Sequence, residues 1–136
     1  MQLFGGLPVQ FGVFLDAVDV FDAPAFGIST PEALLLDPQQ RLLLECAAEV
    51  MCGPAAGASS NASWRAAAAG LVGVWVGVSS MDYNRVSLDF VGGVTPYSST
   101  GSSLSVTAGR LSYTYNLRGP SVAVDTACSS SLVGAC

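Results

Sequence analysis

The longest unbroken apolar run, Ala66 to Val78, holds 13 residues and ends in Leu71-Val72-Gly73-Val74-Trp75-Val76-Gly77-Val78. These last eight residues are rich in Val and apolar on both faces, which predicts a central strand over 71–78 covered by helices on both sides. Gly73 and Gly77 would let neighbouring backbone approach it closely. A second β-branched run, Ser121-Val122-Ala123-Val124, predicts a shorter buried strand. Helical signals occupy stretches before and between these two runs. Ser29-Thr30-Pro31-Glu32 combines a hydroxyl cap, a proline in the first turn and an acid at the positive end, predicting a short helix through about Leu36. Asp37-Pro38-Gln39-Gln40 repeats the signal, with Gln40 placed to complete a capping-box-like arrangement. That second helix runs through Leu42, Leu43, Ala47 and Val50, and Gly53-Pro54 ends it. Arg41 and Glu45 stand four apart on it, the spacing of an exposed ion pair. Gly101 to Tyr115 predicts a third helix. Its small residues (Ser102, Ser103, Ser105, Ala108, Gly109) permit tight packing beside Leu104, Val106 and Leu111.

The remaining stretches carry weaker patterns. Residues 1–12 are a Gly/Pro-broken apolar lead-in. In Phe11 to Val20, the residues Val13, Leu15, Val18 and Val20 could face a core from short extended segments punctuated by Asp16, Asp19 and Asp22. Phe21, Phe26 and Ile28 read as an apolar anchor beside turn residues. Gly53 to Asn61 is a Gly/Ala/Ser-rich surface loop. Asn61-Ala62-Ser63 matches a glycosylation sequon, which carries no meaning without secretion. Ser79-Ser80-Met81-Asp82-Tyr83 follows the central strand's carboxyl end, where open α/β sheets place their sites. A solvated turn is the plainer reading of it. Asn116-Leu117-Arg118-Gly119-Pro120 makes the turn into the second strand.

Composition sharpens this picture. The length fits a single domain spanning 1–136. Only 11% of residues are charged, against about 25% in typical soluble domains, while 51% are apolar. So few charges fit either a Gly- and Ala-rich globular domain or a surface that further protein covers. The net charge is −5, Lys is absent, and the five Arg are scattered at 41, 65, 85, 110 and 118. No basic stripe exists to neutralise phosphates, which excludes nucleic acid as the expected partner. The longest apolar run falls short of the roughly 20 residues that span a bilayer. No basic region precedes an apolar core at the N-terminus, so no secretory signal is read and a cytoplasmic location is expected.

The four cysteines stand at 46, 52, 128 and 136, and there is no His. The spacing offers no zinc pattern, so no metal site is expected. Cys46 and Cys52 are expected as small buried residues of the second helix and its end. Cys128 differs in setting. A buried strand leads into Asp125-Thr126-Ala127, a turn, and Cys128 then stands where a helix should begin, backed by Ser129, Ser130 and Ser131. A helix N-terminus offers partial positive charge and free N–H groups. Such a setting favours thiolate, the nucleophilic form, and can hold a developing oxyanion. Taken alone, Cys128 could equally be an inert buried thiol.

Val124-Asp125-Thr126-Ala127-Cys128-Ser129-Ser130-Ser131-Leu132 resembles the active-site cysteine signature of β-ketoacyl synthases, in the form used by type I polyketide synthases. The segments Phe21-Asp22 to Gly27-Ile28-Ser29, Asp37-Pro38-Gln39-Gln40-Arg41-Leu42-Leu43-Leu44-Glu45, and Ala108-Gly109-Arg110-Leu111-Ser112-Tyr113 to Gly119-Pro120-Ser121 resemble family segments in the same order. The resemblance covers most of the chain. It implies the N-terminal half of an α/β, thiolase-like fold, layered α-β-α-β-α, and a chain that stops soon after the nucleophile's helix begins. It implies that Cys128 is the catalytic residue, accepting an acyl chain as a thioester and condensing it with a malonyl-type thioester with loss of carbon dioxide. It places Phe21 to Ile28 at the edge of the catalytic domain and the Gly101–Tyr115 helix near the active site and a dimer interface. Arg110 and Arg118 are expected to bind carbonyls or carboxylates of the fold rather than substrate.

The resemblance also sets the expected partners. No cofactor is bound directly, and substrates arrive on the phosphopantetheine of an acyl carrier protein. The remainder of the ketosynthase domain and a homodimer in the parent protein are the other partners implied. The family's two histidines and lysine, which assist decarboxylation and stabilise negative charge, have no counterpart in a chain without His or Lys. Two further readings therefore stand beside it: a non-catalytic fragment that associates with a partner ketosynthase half, and a Cys hydrolase or thiolase-type acyltransferase on a similar fold.

Overall fold

The computed structural model describes residues 11–52, 71–80, 82–91 and 93–136. The predicted stop at Gly53-Pro54, the loop to Asn61 and the sequon lie outside them. Local signals account for the first elements. Asp22 accepts a hydrogen bond from the Ala25 N–H, opening a 3-10 turn over Ala23–Phe26 that closes at Gly27 with φ +69°. Phe21 and Phe26 stack with ring centroids 5.1 Å apart, and Ile28 is buried beside them, which forms the predicted anchor. Helix α1 spans Thr30–Leu35 with Pro31 and Glu32 in its first turn. Helix α2 spans Pro38–Cys52, and buried Asp37 caps it through a 2.8 Å bond from the Gln39 N–H.

Strand β1 is Val74–Gly77, and strand β2 is Ser121–Val124. They pair in parallel, with Val74 opposite Ser121 and Gly77 opposite Val124. A parallel pair needs a long crossover. Here it contains α3 (Asp82–Val91), α4 (Ser98–Ser102) and α5 (Leu104–Thr114). Gly119 makes the approach of the two strands possible: a Cβ there would stand 2.4 Å from the Val72 carbonyl oxygen. Single backbone bonds extend the pairing at both ends, Gly119 N–H to Val72 O and Val78 N–H to Val124 O, each 3.0 Å.

Val76 and Val78 are buried in the main core with Leu36, Leu44, Ala108, Leu111 and Tyr115, and Val74 packs against it. Tyr115 reaches into α2, where its hydroxyl donates to the Leu44 carbonyl at 2.6 Å. On the other side of the sheet, a final helix α6 (Ser130–Ala135) lies against β1. Gly77 admits it, because a Cβ there would meet the Ser130 and Ser131 backbone at 2.7 Å. The sheet is thus layered between helices, as its two apolar faces predict.

Several expectations are corrected. Phe11, Val13, Phe14, Leu15, Val18 and Val20 are exposed rather than core-facing. Ala17 turns left-handed at φ 55° within that stretch, which carries no regular element against which to pack. The helix predicted over 101–115 breaks at Ser103, whose ψ of 129° is extended. The break follows from Gly101, whose carbonyl is committed to α2: it accepts the Asp37 N–H at 2.8 Å and the Gln40 side-chain amide at 3.0 Å. Gln40 therefore turns away from a capping box. Arg41 does not pair with Glu45. Its guanidinium instead donates to the Leu36 carbonyl and the Tyr83 hydroxyl, at 2.8 and 3.1 Å. Cys46 is exposed, not buried; it lines a groove of about 340 Å³ with Leu43, Val50, Met51 and Trp75. Helix α3 has no counterpart in the sequence-based expectation, which left Ser79–Tyr83 as a turn.

Candidate active site

Strand β2 delivers the chain to a sharp bend. Asp125 Oδ1 accepts the Ala127 N–H at 3.0 Å, and Ala127 takes φ 54°, the left-handed region. For an L-residue with a Cβ this conformation costs about 1–2 kcal/mol. Ala127–Ser129 form one turn of 3-10 helix, and α6 begins at Ser130. Cys128 is therefore carried at the apex of a strand–bend–helix elbow, free and exposed. The predicted strand and turn stand where the sequence places them, but no residue of β2 is buried, and the helix begins at Ser130 rather than Cys128, with the 3-10 turn interposed.

Two serines brace the bend. Ser129 Oγ donates to the Thr126 carbonyl and also to its Oγ1, both at 2.9 Å. Ser130 is buried, and its hydroxyl accepts the Thr126 N–H at 2.8 Å while donating to the Ala127 carbonyl at 2.7 Å. The sequence reading noted these serines without giving them a role. The signal for them is Gly77, the strand glycine whose missing Cβ admits the Ser130 backbone.

The other polar groups singled out from sequence serve the scaffold. Ser80 Oγ donates to Asp82 Oδ2 at 2.7 Å at the start of α3, and the Ser80 carbonyl accepts from Gln39. Tyr83 donates to the Leu34 carbonyl at 2.8 Å, and its ring lies 5.7 Å from the Arg41 guanidinium carbon. Arg110 forks into three acceptors: Gln40 Oε1 and Glu32 Oε1 at 2.7 Å, and the Thr100 carbonyl at 3.4 Å. Its side chain is only 10% exposed. This joins α1, α2, α4 and α5 and matches the structural role expected for it. Arg118 is exposed. Among the described residues, no group of three or more His, Cys, Asp or Glu side chains could hold a metal ion, and no helix is long and apolar enough to cross a membrane.

An exposed thiol at a braced elbow, at the carboxyl end of a parallel strand between helices, defines a candidate nucleophile site in an α/β protein. The family model for the β-ketoacyl synthase N-terminal domain matches residues 2–135, and the chain belongs to that family. It is 50% identical over 125 residues to the spectinabilin polyketide synthase system protein NorC of Streptomyces orinoci, an alignment covering 92% of this chain and 5% of that protein. Among solved structures, it is similar to the oxazolomycin ketosynthase domain OzmH KS7 of Streptomyces albus JA3453, with TM-score 0.70 and 31% identity over 90% of this chain and 20% of that one. The ketosynthase from module 6 of the bacillaene synthase of Bacillus subtilis 168 gives TM-score 0.67 and 32% identity, over 90% of this chain and 19% of that one. The chain thus corresponds to an N-terminal part of a polyketide-synthase ketosynthase domain, with the thiolase-like α/β fold.

Proposed function

We propose that Cys128 is the acyl-accepting nucleophile of a condensing ketosynthase. The observation that carries this reading is the elbow itself, which presents a free, exposed thiol beyond the end of β2 in a chain of this family. In the first half-reaction, the Cys128 thiolate attacks the carbonyl of an acyl thioester on an acyl carrier protein. A bond forms between Cys128 Sγ and the acyl carbon, the carbon–sulfur bond to the carrier's phosphopantetheine breaks, and the carrier thiol takes the proton. The Cys128 backbone N–H supports the oxyanion of the tetrahedral intermediate. In the second half-reaction, a malonyl-type thioester loses carbon dioxide, and the resulting enolate carbon attacks the acyl-Cys128 carbonyl. A carbon–carbon bond forms and the Cys128 thiolate leaves.

With no His and no Lys in these 136 residues, the groups that assist decarboxylation come from protein beyond them. The remainder of the ketosynthase domain is thus a required partner, and a homodimer is the proposed parent assembly. The test is uptake of a butyryl N-acetylcysteamine thioester, read by peptide mass spectrometry. Acylation is expected on Cys128 and lost in Cys128→Ala; normal uptake by that variant sinks the assignment.

A further inference from the structure

We propose that Ser130 is the positioning residue for Cys128, setting the direction of the thiol through the left-handed bend at Ala127. This rests on the reading of Cys128 as the nucleophile. The Ser130 side chain is the buried member of the serine run, with 4% relative exposure. Its hydroxyl bonds on both sides of the bend: it accepts from the Thr126 N–H, one residue before Ala127, and donates to the Ala127 carbonyl, the group that links directly to Cys128. One oxygen thus ties the peptide unit entering Thr126 to the one leaving Ala127, spanning the strained φ. The clamp is itself seated on the sheet, because Gly77 lets the Ser130 and Ser131 backbone approach to a distance no Cβ would permit. Cys128 is exposed and follows Ala127 directly, so its direction depends on this bend. Asp125 and Ser129 also bond within the elbow, but both are exposed to competing water. The Ser130 bonds are the partly buried ones.

Without the hydroxyl, Ala127 relaxes toward ordinary φ and the thiol swings away from its attack position. Misplacing a reacting atom slows chemistry without weakening binding of the substrate. The experiment measures Cys128 acylation in the full polypeptide that carries these residues, as a function of butyryl N-acetylcysteamine thioester concentration. Ser130→Ala is expected to lower the rate at saturating thioester about tenfold, with the half-saturating concentration unchanged. Glycine adopts the left-handed region without penalty, so adding Ala127→Gly to Ser130→Ala is expected to recover most of that loss. An unchanged rate in Ser130→Ala, with Cys128 acylated, overturns the positioning role and leaves the nucleophile intact. A loss that Ala127→Gly does not relieve makes Ser130 general support for the fold and also overturns it. Absence of acyl group on Cys128 in the wild type removes the nucleophile reading and this inference together. Should Ser130→Ala not fold, Ala127→Val opposes the same bend with Ser130 intact. It is expected to slow acylation similarly, and a wild-type rate there refutes the proposal.

Discussion

Adding one methyl group at Gly101 and the same group at Gly109 should move stability in opposite directions. A Cβ on Gly101 would stand 2.2 Å from the Leu35 carbonyl oxygen and 2.9 Å from its carbon. Both are backbone atoms at the joint between α1 and α2, so no rotamer change relieves the clash. Helix α4 must retreat, and overpacking of this kind costs about 1–3 kcal/mol. The retreat also stretches the two bonds that the Gly101 carbonyl accepts from Asp37 and Gln40, worth about 1 kcal/mol each. Gly101→Ala should therefore lose about 3–5 kcal/mol. At Gly109, within α5, nothing lies within 4 Å of the added Cβ. Replacing a mid-helix glycine by alanine there gains about 0.5–1 kcal/mol. Urea unfolding followed by tryptophan emission reads both. At a typical slope of about 2 kcal/mol/M, the Gly101→Ala midpoint falls by about 2 M while that of Gly109→Ala rises slightly. A Gly101→Ala midpoint within about 0.3 M of wild type, or shifts of the same sign for both variants, refutes the close-approach argument.

Two further tests use the same unfolding measurement. Arg110→Lys keeps the charge but replaces a fork with a point donor; losing the shared bonds to Gln40 and Thr100 should cost about 1–3 kcal/mol, and wild-type stability would show that the fork is idle. Leu44→Ala, at a residue with 0% exposure, should cost about 2–5 kcal/mol. The matched change at Leu34, 66% exposed, should stay within about 0.5 kcal/mol, and equal effects at the two sites would contradict the assigned core.

Sequence reading succeeded where a few neighbouring residues decide the outcome. Helices begin at Thr30 and Pro38, as the Ser29–Glu32 and Asp37–Pro38 signals predict, with Asp37 capping through its side chain and Ser29 making no side-chain capping bond. Val74–Gly77 and Ser121–Val124 form strands because β-branched apolar runs have few other uses, and the strand-to-helix approach to Cys128 follows from one continuous stretch. It failed where a distant partner decides. Gln40 belongs to a capping box until the Gly101 carbonyl, 61 positions away, claims its amide. Arg41 has a suitable acid four residues on, yet Tyr83 and the Leu36 carbonyl hold it. The break at Ser103 is invisible for the same reason, since Gly101 ends α4 to serve another helix. Cys46 was misplaced because its helix has an open side, and helical spacing alone does not say which side is covered. The bracing role of Ser130 needed the bend and Gly77 together, which no local window contains.

The register of the sheet also orders events in time. Every residue of β1 pairs with one 47 positions later, Val74 with Ser121 through Gly77 with Val124. Capped helices form on local signals alone, whereas parallel pairing across such a separation must first meet the entropy of closing the intervening chain. The elbow follows β2 and rests on Gly77, so it has no platform until that closure is complete. On this topology the support of the Cys128 elbow depends on the sequence-distant pairing between the two strands rather than on local helix signals.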